Sequence, residues 1–143
     1  MKILAVDLGR ARTGLAICDE GELLASPLAV IHEFHMDKLA QIIARQAAET
    51  AAGSIVVGLP RNMDGSEGDS AQNARAFAEK LKELVNVPVK MRDERGTTIT
   101  AHGYLNETDT RGKKRKAVID AVAATIILQD YLDYRRNHRE EPK

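Results

Sequence analysis

Ile3, Leu4, Ala5 and Val6 form an unbroken apolar run, the pattern of a strand covered on both faces. The run stops at Asp7 and turns through Gly9, and a second apolar run opens at Gly14 and ends at Cys18. Two strands over 3–7 and 14–18, joined by a tight polar loop, predict a hairpin. A third run over 22–31 is interrupted by Pro27, which cannot donate to a ladder and so belongs at a sheet edge or an irregularity. From Met36 the period changes, with Met36, Leu39, Ile42, Ile43 and Ala47 at helical spacing, and the helix should stop near Gly53.

"SIVVG" over 54–58 reads as a buried parallel strand, followed by the polar, glycine-rich loop "LPRNMDGSEG". Asp69 or Ser70 is then expected to cap a helix, because Asp69 with Gln72 has the capping-box form and Phe77, Leu81 and Leu84 supply an apolar stripe. "VPVKMRDER" predicts the last strand, ending in charges. Residues 97–107 read as a short helix weakened by Gly103, the basic run after it as a loop, and 116–134 as a strongly apolar final helix. A meander followed by alternating strands and helices predicts an α/β fold, a mixed sheet with helices on its faces.

The chain of 143 residues is long enough for one sizeable core, so a single domain over 1–136 is expected, with 137–143 as a flexible C-terminal tail. No membrane-length apolar segment and no secretory pattern is present, which makes the cytoplasm the expected location. The single cysteine, Cys18, lies in an apolar run and reads as a small core residue. Net charge is zero, from 21 basic and 21 acidic side chains, so no global positive field marks a nucleic-acid binder. Local charge says more: "RGKKRK" sets Arg111, Lys113, Lys114, Arg115 and Lys116 in six residues. Aromatics at 3% argue against a single-strand stacking platform and for recognition of backbone or shape.

Acids break the apolar pattern in three places. Asp7 ends the first strand; Asp93 and Glu94 end the last, where alternation allows only one of the two onto a given face; and Asp120 lies in "AVIDAVAATIIL", apolar almost all round. A lone buried carboxylate costs several kcal/mol or a raised pKa, about 2 kcal/mol at the least, so each acid needs a partner. An ion pair with Arg or Lys is one solution. A hard divalent cation shared among carboxylates is the other, and two such ions suit phosphodiester cleavage. Zinc is disfavoured, since His32 and His35 have no further histidine or cysteine nearby, and no serine sits in a G-x-S-x-G elbow.

"ILAVDLGRARTGLAICDE", "IVVGLPRNMDGSEGDSAQ", "RDERGTT" and "GKKRKAVIDAVAATIILQDYL", in this order, resemble the successive motifs of the YqgF family, also called RuvX. The resemblance runs from about residue 3 to 133. It implies an RNase H-like fold, a five-stranded mixed sheet with helices on both faces, and an acidic cluster holding two Mg²⁺ or Mn²⁺ ions. Residue by residue, it implies Asp7, Glu94 and Asp120 as the catalytic and metal-binding acids, with Asp93 second to Glu94. Members of the family are named as nucleases of the 16S ribosomal RNA precursor and as Holliday junction resolvases. The chain departs from the family pattern at Gly96, where leucine is usual, and at Arg10, Ala11, Arg12 and Thr13 in the first loop. It also carries Gly58, Leu59 and Pro60 where resolvases proper have an acid after the central strand.

Given those acids, the cations of 111–116 become candidates for phosphates flanking a scissile bond, together with Arg10, Arg12 and Arg95. Asn62, Ser66 and the helix start after them form a second candidate phosphate contact, with an ordinary capped turn as the alternative. The expected function is a metal-dependent endonuclease in 16S ribosomal RNA maturation. Its partners would be structured RNA or branched DNA and the ribosome, and no membrane, with the chain a monomer or homodimer. Alternatives are a nuclease acting on branched DNA and a non-catalytic ribosome-assembly factor. An actin-like ATPase reading of "DLG...TG" fails on length, since that architecture needs two such domains.

Overall fold

β1 (Ile3–Asp7) is the strand around which the others are ordered. A computed structural model describes residues 1–62, 64–93 and 112–137, with 112–121 described along the backbone alone. On one side β1 pairs antiparallel with β2 (Arg12–Cys18), and β2 antiparallel with β3 (Ala25–His32). On the other side it pairs parallel with β4 (Ser54–Leu59), and β4 parallel with β5 (Val89–Asp93). The order β3-β2-β1-β4-β5 is the mixed five-stranded sheet expected. Ile3 to Val6 are 0% exposed and β4 is buried along its length, as a parallel pair covered on both faces requires.

α1 (Met36–Thr50) connects β3 to β4, and α2 (Asp69–Leu84) connects β4 to β5. Both connections step the same way across the sheet, and right-handed crossovers therefore place both helices on one face. There Leu39, Ile43, Phe77 and Leu81 pack with Leu4, Val6, Leu15, Ile55 and Val57. The opposite face is covered by α3 (Gly112–Asn137), whose Ala124, Leu128, Tyr131 and Leu132 pack with Ile3, Ala5, Ala16, Cys18 and Val56. Among the described residues no helix is long and apolar enough to cross a membrane.

Several local expectations are corrected. α1 ends at Thr50 rather than near Gly53: Ala51 takes the left-handed conformation (φ 58°) and Ala52 N–H donates to Ala47 O at 3.0 Å, a Schellman-type stop made without glycine. Gly53 instead donates to Lys2 O at 2.8 Å, bringing the chain into β4 beside β1. α2 has Gly68 as its N-cap with no side-chain cap bond, so Asp69 is the first helical residue and the capping box does not form. β2 begins at Arg12, which is thereby in the strand rather than the loop. α3 begins at Gly112, so Lys113 to Lys116 lie in its first turns and not in a loop. The expected short helix over 97–107 lies outside the described residues.

Pro27 does sit on the edge strand. The register steps from Leu15 opposite Ala29 to Ala16 opposite Pro27, and Leu28 is the extra residue of a bulge. Cys18 is 3% exposed; burial pushes its thiol up, and Sγ accepts a bond from Ile3 N–H at 3.2 Å.

The C-terminal end of α3 is fastened to the start of the sheet by Glu22. Its carboxylate accepts from Arg135 Nε at 2.6 Å and lies 3.2 Å from the Met1 amine. Burial alone would raise the Glu22 pKa, but the Arg135 bond and the amine outweigh it and hold the group below the usual range. A carboxyl depressed in the folded state contributes stability above its unfolded pKa and loses it as pH falls through the folded value. Glu22→Gln should therefore lower the unfolding free energy at neutral pH by about 1–3 kcal/mol. Urea midpoints of the variant and the parent should converge once the pH falls below the lowered Glu22 value in the folded protein. A gap independent of pH would exclude this clamp.

Candidate active site

Asp7 stands at the carboxyl end of β1, where the chain departs to both sides of the sheet: β2 and β3 one way, β4 and β5 the other. Such a switch point at strand carboxyl ends is where open α/β sheets form ligand crevices. Alternation assigns the face. Leu4 and Val6 belong to the α1/α2 core and Ile3 and Ala5 to the α3 core, so Asp7 is on the α3 side. Its partner across β2 is Gly14, and the next register step on β4, after Val6 opposite Val57, is Gly58. The residue directly opposite Asp7 on β2 and the next in register on β4 are thus both glycine, while Arg12, two residues before Gly14 on β2, shares the face. Asp7 is half-buried at the end of the central strand.

The same alternation separates the two acids of "DER". Val89 and Met91 pack on the α1/α2 core, so Asp93 lies on that face, opposite to Asp7, and an Arg61 guanidinium nitrogen is 3.9 Å from it. Arg92, one residue earlier, reaches the α3 side, where it donates to Asp130 at 2.8 Å and lies 4.8 Å from the Tyr134 ring centroid. Glu94, Arg95 and Arg111 lie outside the described residues.

The two arginines after Asp7 part company. Arg12 is in β2 two residues before Gly14 and shares the α3 face with Asp7. Arg10 is exposed in the loop and lines a cleft on the α1/α2 side. The loop over 61–67 closes on itself: Asn62 N–H donates to Ser66 O at 2.9 Å, Asn62 Nδ2 to Ser66 Oγ at 2.9 Å, and Ser66 Oγ to Asp64 Oδ1 at 2.6 Å. The Asn62 and Ser66 side chains thus serve the turn itself.

Arg61, which the sequence pattern did not single out, ties this loop to β5. It reaches Glu67 at 3.4 Å and Asp93 at 3.9 Å, while Arg75 grips Glu67 through two bonds of 2.8 Å. The Arg75 bond, with help from Arg61, holds the Glu67 carboxyl below its usual range. The available signal was a cation directly after Pro60 with an acid six residues on, matching the bridge Arg61 opposite Glu67.

Asp120 lies within α3, whose backbone places it one turn before Ala124; its side chain is outside the description, as are those of Lys113, Lys114, Arg115 and Lys116. The last turns of α3 are bound at the start of β1, through Arg135 and Glu22, and its earlier turns extend away from that end. Among the described residues no three His, Cys, Asp or Glu side chains converge as a metal group.

A family model described as "RuvX: Holliday junction resolvase" matches residues 1–134. The chain belongs to the RuvX family. Within it, a relative from Anaeromyxobacter sp. (strain Fw109-5), provisionally named a pre-16S rRNA nuclease, is 45% identical over 135 residues, 94% of this chain and 98% of the relative. A relative of the same name from Paracoccus denitrificans (strain Pd 1222) is 44% identical over 131 residues, 92% of this chain and 83% of the relative. Among solved structures, Thermus thermophilus RuvC in complex with Holliday junction substrate aligns at TM-score 0.61 and 14% identity, over 96% of each chain. The fowlpox virus Holliday junction resolvase aligns at TM-score 0.56 and 15% identity, over 94% of this chain and 99% of that one. The RuvX chain thus has the RNase H-like architecture, a five-stranded mixed sheet with helices on both faces.

Glu67→Ala removes the acceptor shared by Arg61 and Arg75. Amide hydrogen exchange at Asn62, Gly65 and Ser66 should accelerate, while the urea midpoint of global unfolding stays close to the parent's, because these pairs are solvent-exposed. Unchanged exchange in the loop would show that its own hydrogen bonds suffice.

Proposed function

We propose that this RuvX protein is a metal-dependent endonuclease that hydrolyses phosphodiester bonds in the precursor of 16S ribosomal RNA, in the cytoplasm and with the ribosome as partner. The observation that carries the reading is the place of Asp7, a carboxylate on the carboxyl end of the central strand, opposite Gly14 and just past the last β4 partner of β1, Val57. The names of the curated relatives supply the substrate class.

Asp7, Glu94 and Asp120 would hold Mg²⁺ or Mn²⁺, two ions in the two-metal arrangement. The set is all carboxylate oxygen, the chemistry these hard cations take. The opposite face of Asp93 supports Glu94 as the acid of the "DER" pair. The course of α3 supports Asp120, since the turns before Ala124 run away from the start of β1 and toward the end that carries Asp7. When bound, such ions lower the pKa of attacking water and stabilise the leaving oxygen. The chain's own part is to hold Asp7 at the end of the central strand, opposite Gly14, and to anchor α3 at its far end.

Charge supports a nucleic-acid substrate. α3 opens with Lys113, Lys114, Arg115 and Lys116 and has no acid in its first turn, the reverse of what a helix dipole favours. A phosphodiester backbone at this end offsets that cost. Successive helical positions are 100° apart, so positions 113 and 116 share a side while 114 and 115 turn elsewhere. Branched DNA is the second reading, favoured by the family description.

Asp7→Asn should abolish cleavage of precursor RNA, by about 10³-fold or more, with fold and RNA binding retained. Asp93→Asn, on the other face, should leave cleavage within about twofold. Undiminished cleavage by the Asp7 variant would sink the catalytic reading, and rescue of RNA maturation in cells by that variant would establish an assembly factor instead. Replacing Lys113 and Lys116 together should flatten the dependence of log K on log salt by about 1.4–1.8, a contribution of ~0.7–0.9 per phosphate neutralised.

A further inference from the structure

Phe34 is 77% exposed, the most exposed large hydrophobic residue among those described, whereas Phe77 is 0% exposed in the core. It occupies the three-residue connection between His32 of β3 and Met36 of α1, and Glu33 accepts a bond from His35 N–H at 3.2 Å within that connection. The ring is thus carried on a short, tied segment rather than on a long loop. β3 runs parallel to β1, so this connection is at the same end of the sheet as Asp7. Beside it opens a cleft of about 210 Å³, formed by this connection, the β1–β2 loop and the start of α2.

The chemistry of the cleft is mixed in a particular way. Phe34, Met36 and Leu39 give it an apolar side, Glu33, Asp69, Ser70 and Asn73 polar groups including two carboxylates, and Arg10 a cation. Among the described residues Arg10 forms no ion pair. A volume below the ~300–1,000 Å³ of clefts that take drug-sized ligands suits one planar group rather than several. Carboxylate and amide groups beside an aromatic face match the exocyclic amino edge of a base, and the Arg10 guanidinium beside them matches its phosphate.

We propose that this cleft is a subsite for one unpaired nucleobase of the substrate, stacked on Phe34, with Arg10 on the adjoining phosphate. The subsite rests on the nucleic-acid reading above and deepens it. It admits a single base from a strand whose backbone passes the carboxyl edge of the sheet, which agrees with the scarcity of other aromatics. Substrates with an unpaired nucleotide near the cut are then preferred over continuous duplex.

The chain has no tryptophan, so Phe34→Trp introduces one fluorophore at the proposed stacking position. In an Asp7→Asn background, to prevent cleavage, the variant is titrated with an RNA hairpin bearing a short single-stranded extension and with the same hairpin blunt, while anisotropy of the labelled RNA reports binding independently. Saturable quenching by the extended hairpin and not by the blunt one is expected. Phe34→Ala should weaken binding of the extended hairpin by about tenfold and leave the blunt one unchanged. Binding without quenching, equal quenching by both RNAs, or equal weakening of both would overturn the subsite while leaving the nuclease reading intact. Quenching that grows with protein concentration in the absence of RNA would assign Phe34 to contact between copies of the chain instead. Failure of both RNAs to bind would overturn the nucleic-acid reading itself, and the subsite with it.

Discussion

The parallel pairing of β1 with β4, buried on both faces, is the constraint on which the rest of the molecule depends. Two such strands require an apolar layer above and another below. The α1/α2 layer and α3 supply them, and each layer claims alternate residues of the same strands: Leu4 and Val6 on one side, Ile3 and Ala5 on the other. Once that alternation is set, the face of Asp7 follows with no further choice. A slip of one residue would turn the carboxylate into the α1/α2 core. The register that stabilises the sheet is therefore the same register that aims the acid.

α3 depends on the pairing in a second way. It packs over Ala5 and Ala16, small residues that let a helix lie close to the strands, and it is fixed at its C-terminal end by Arg135 on Glu22 and by Gln129 on the backbone of Leu23 and Ala25. Its first turns carry cations against the helix dipole. A helix secured at one end can hold an unfavourable charge arrangement at the other, where a phosphate backbone would relieve it. Under the proposed function, stability and substrate affinity would sit at opposite ends of one element.

How much of this was legible in the sequence varies with the range of the interaction. The apolar runs of β1 and β4, the edge position of Pro27 and the helical stripes of α1 and α2 are local patterns and read correctly, except that Leu84, placed in the α2 stripe, is 48% exposed. The stop of α1 at Ala51 did not, because alanine carries no signal for a left-handed residue and Gly53, two positions on, carries a strong one that the chain uses for another bond. The start of α3 was missed because a run of cations reads as solvated loop, although Lys and Arg are good helix formers. In the site, Asp7 was visible as a break in an apolar run, and alternation showed that Asp93 and Glu94 must part; which face each takes needed the sheet. The Glu22–Arg135 clamp joins residues 113 apart and has no local signature. Phe34, a lone aromatic in a polar connection, became informative only when its exposure and the adjacent cleft were known.

The central claim is that Asp7 is a metal ligand at the carboxyl end of the central strand. A crystal of the protein grown with Mn²⁺ and measured at the manganese absorption edge tests it most directly. The account predicts an anomalous peak within about 2.0–2.6 Å of an Asp7 carboxylate oxygen, with Glu94 and Asp120 as the other carboxylate ligands. An Asp7 carboxylate held by arginine alone, with manganese bound elsewhere or nowhere, would contradict it.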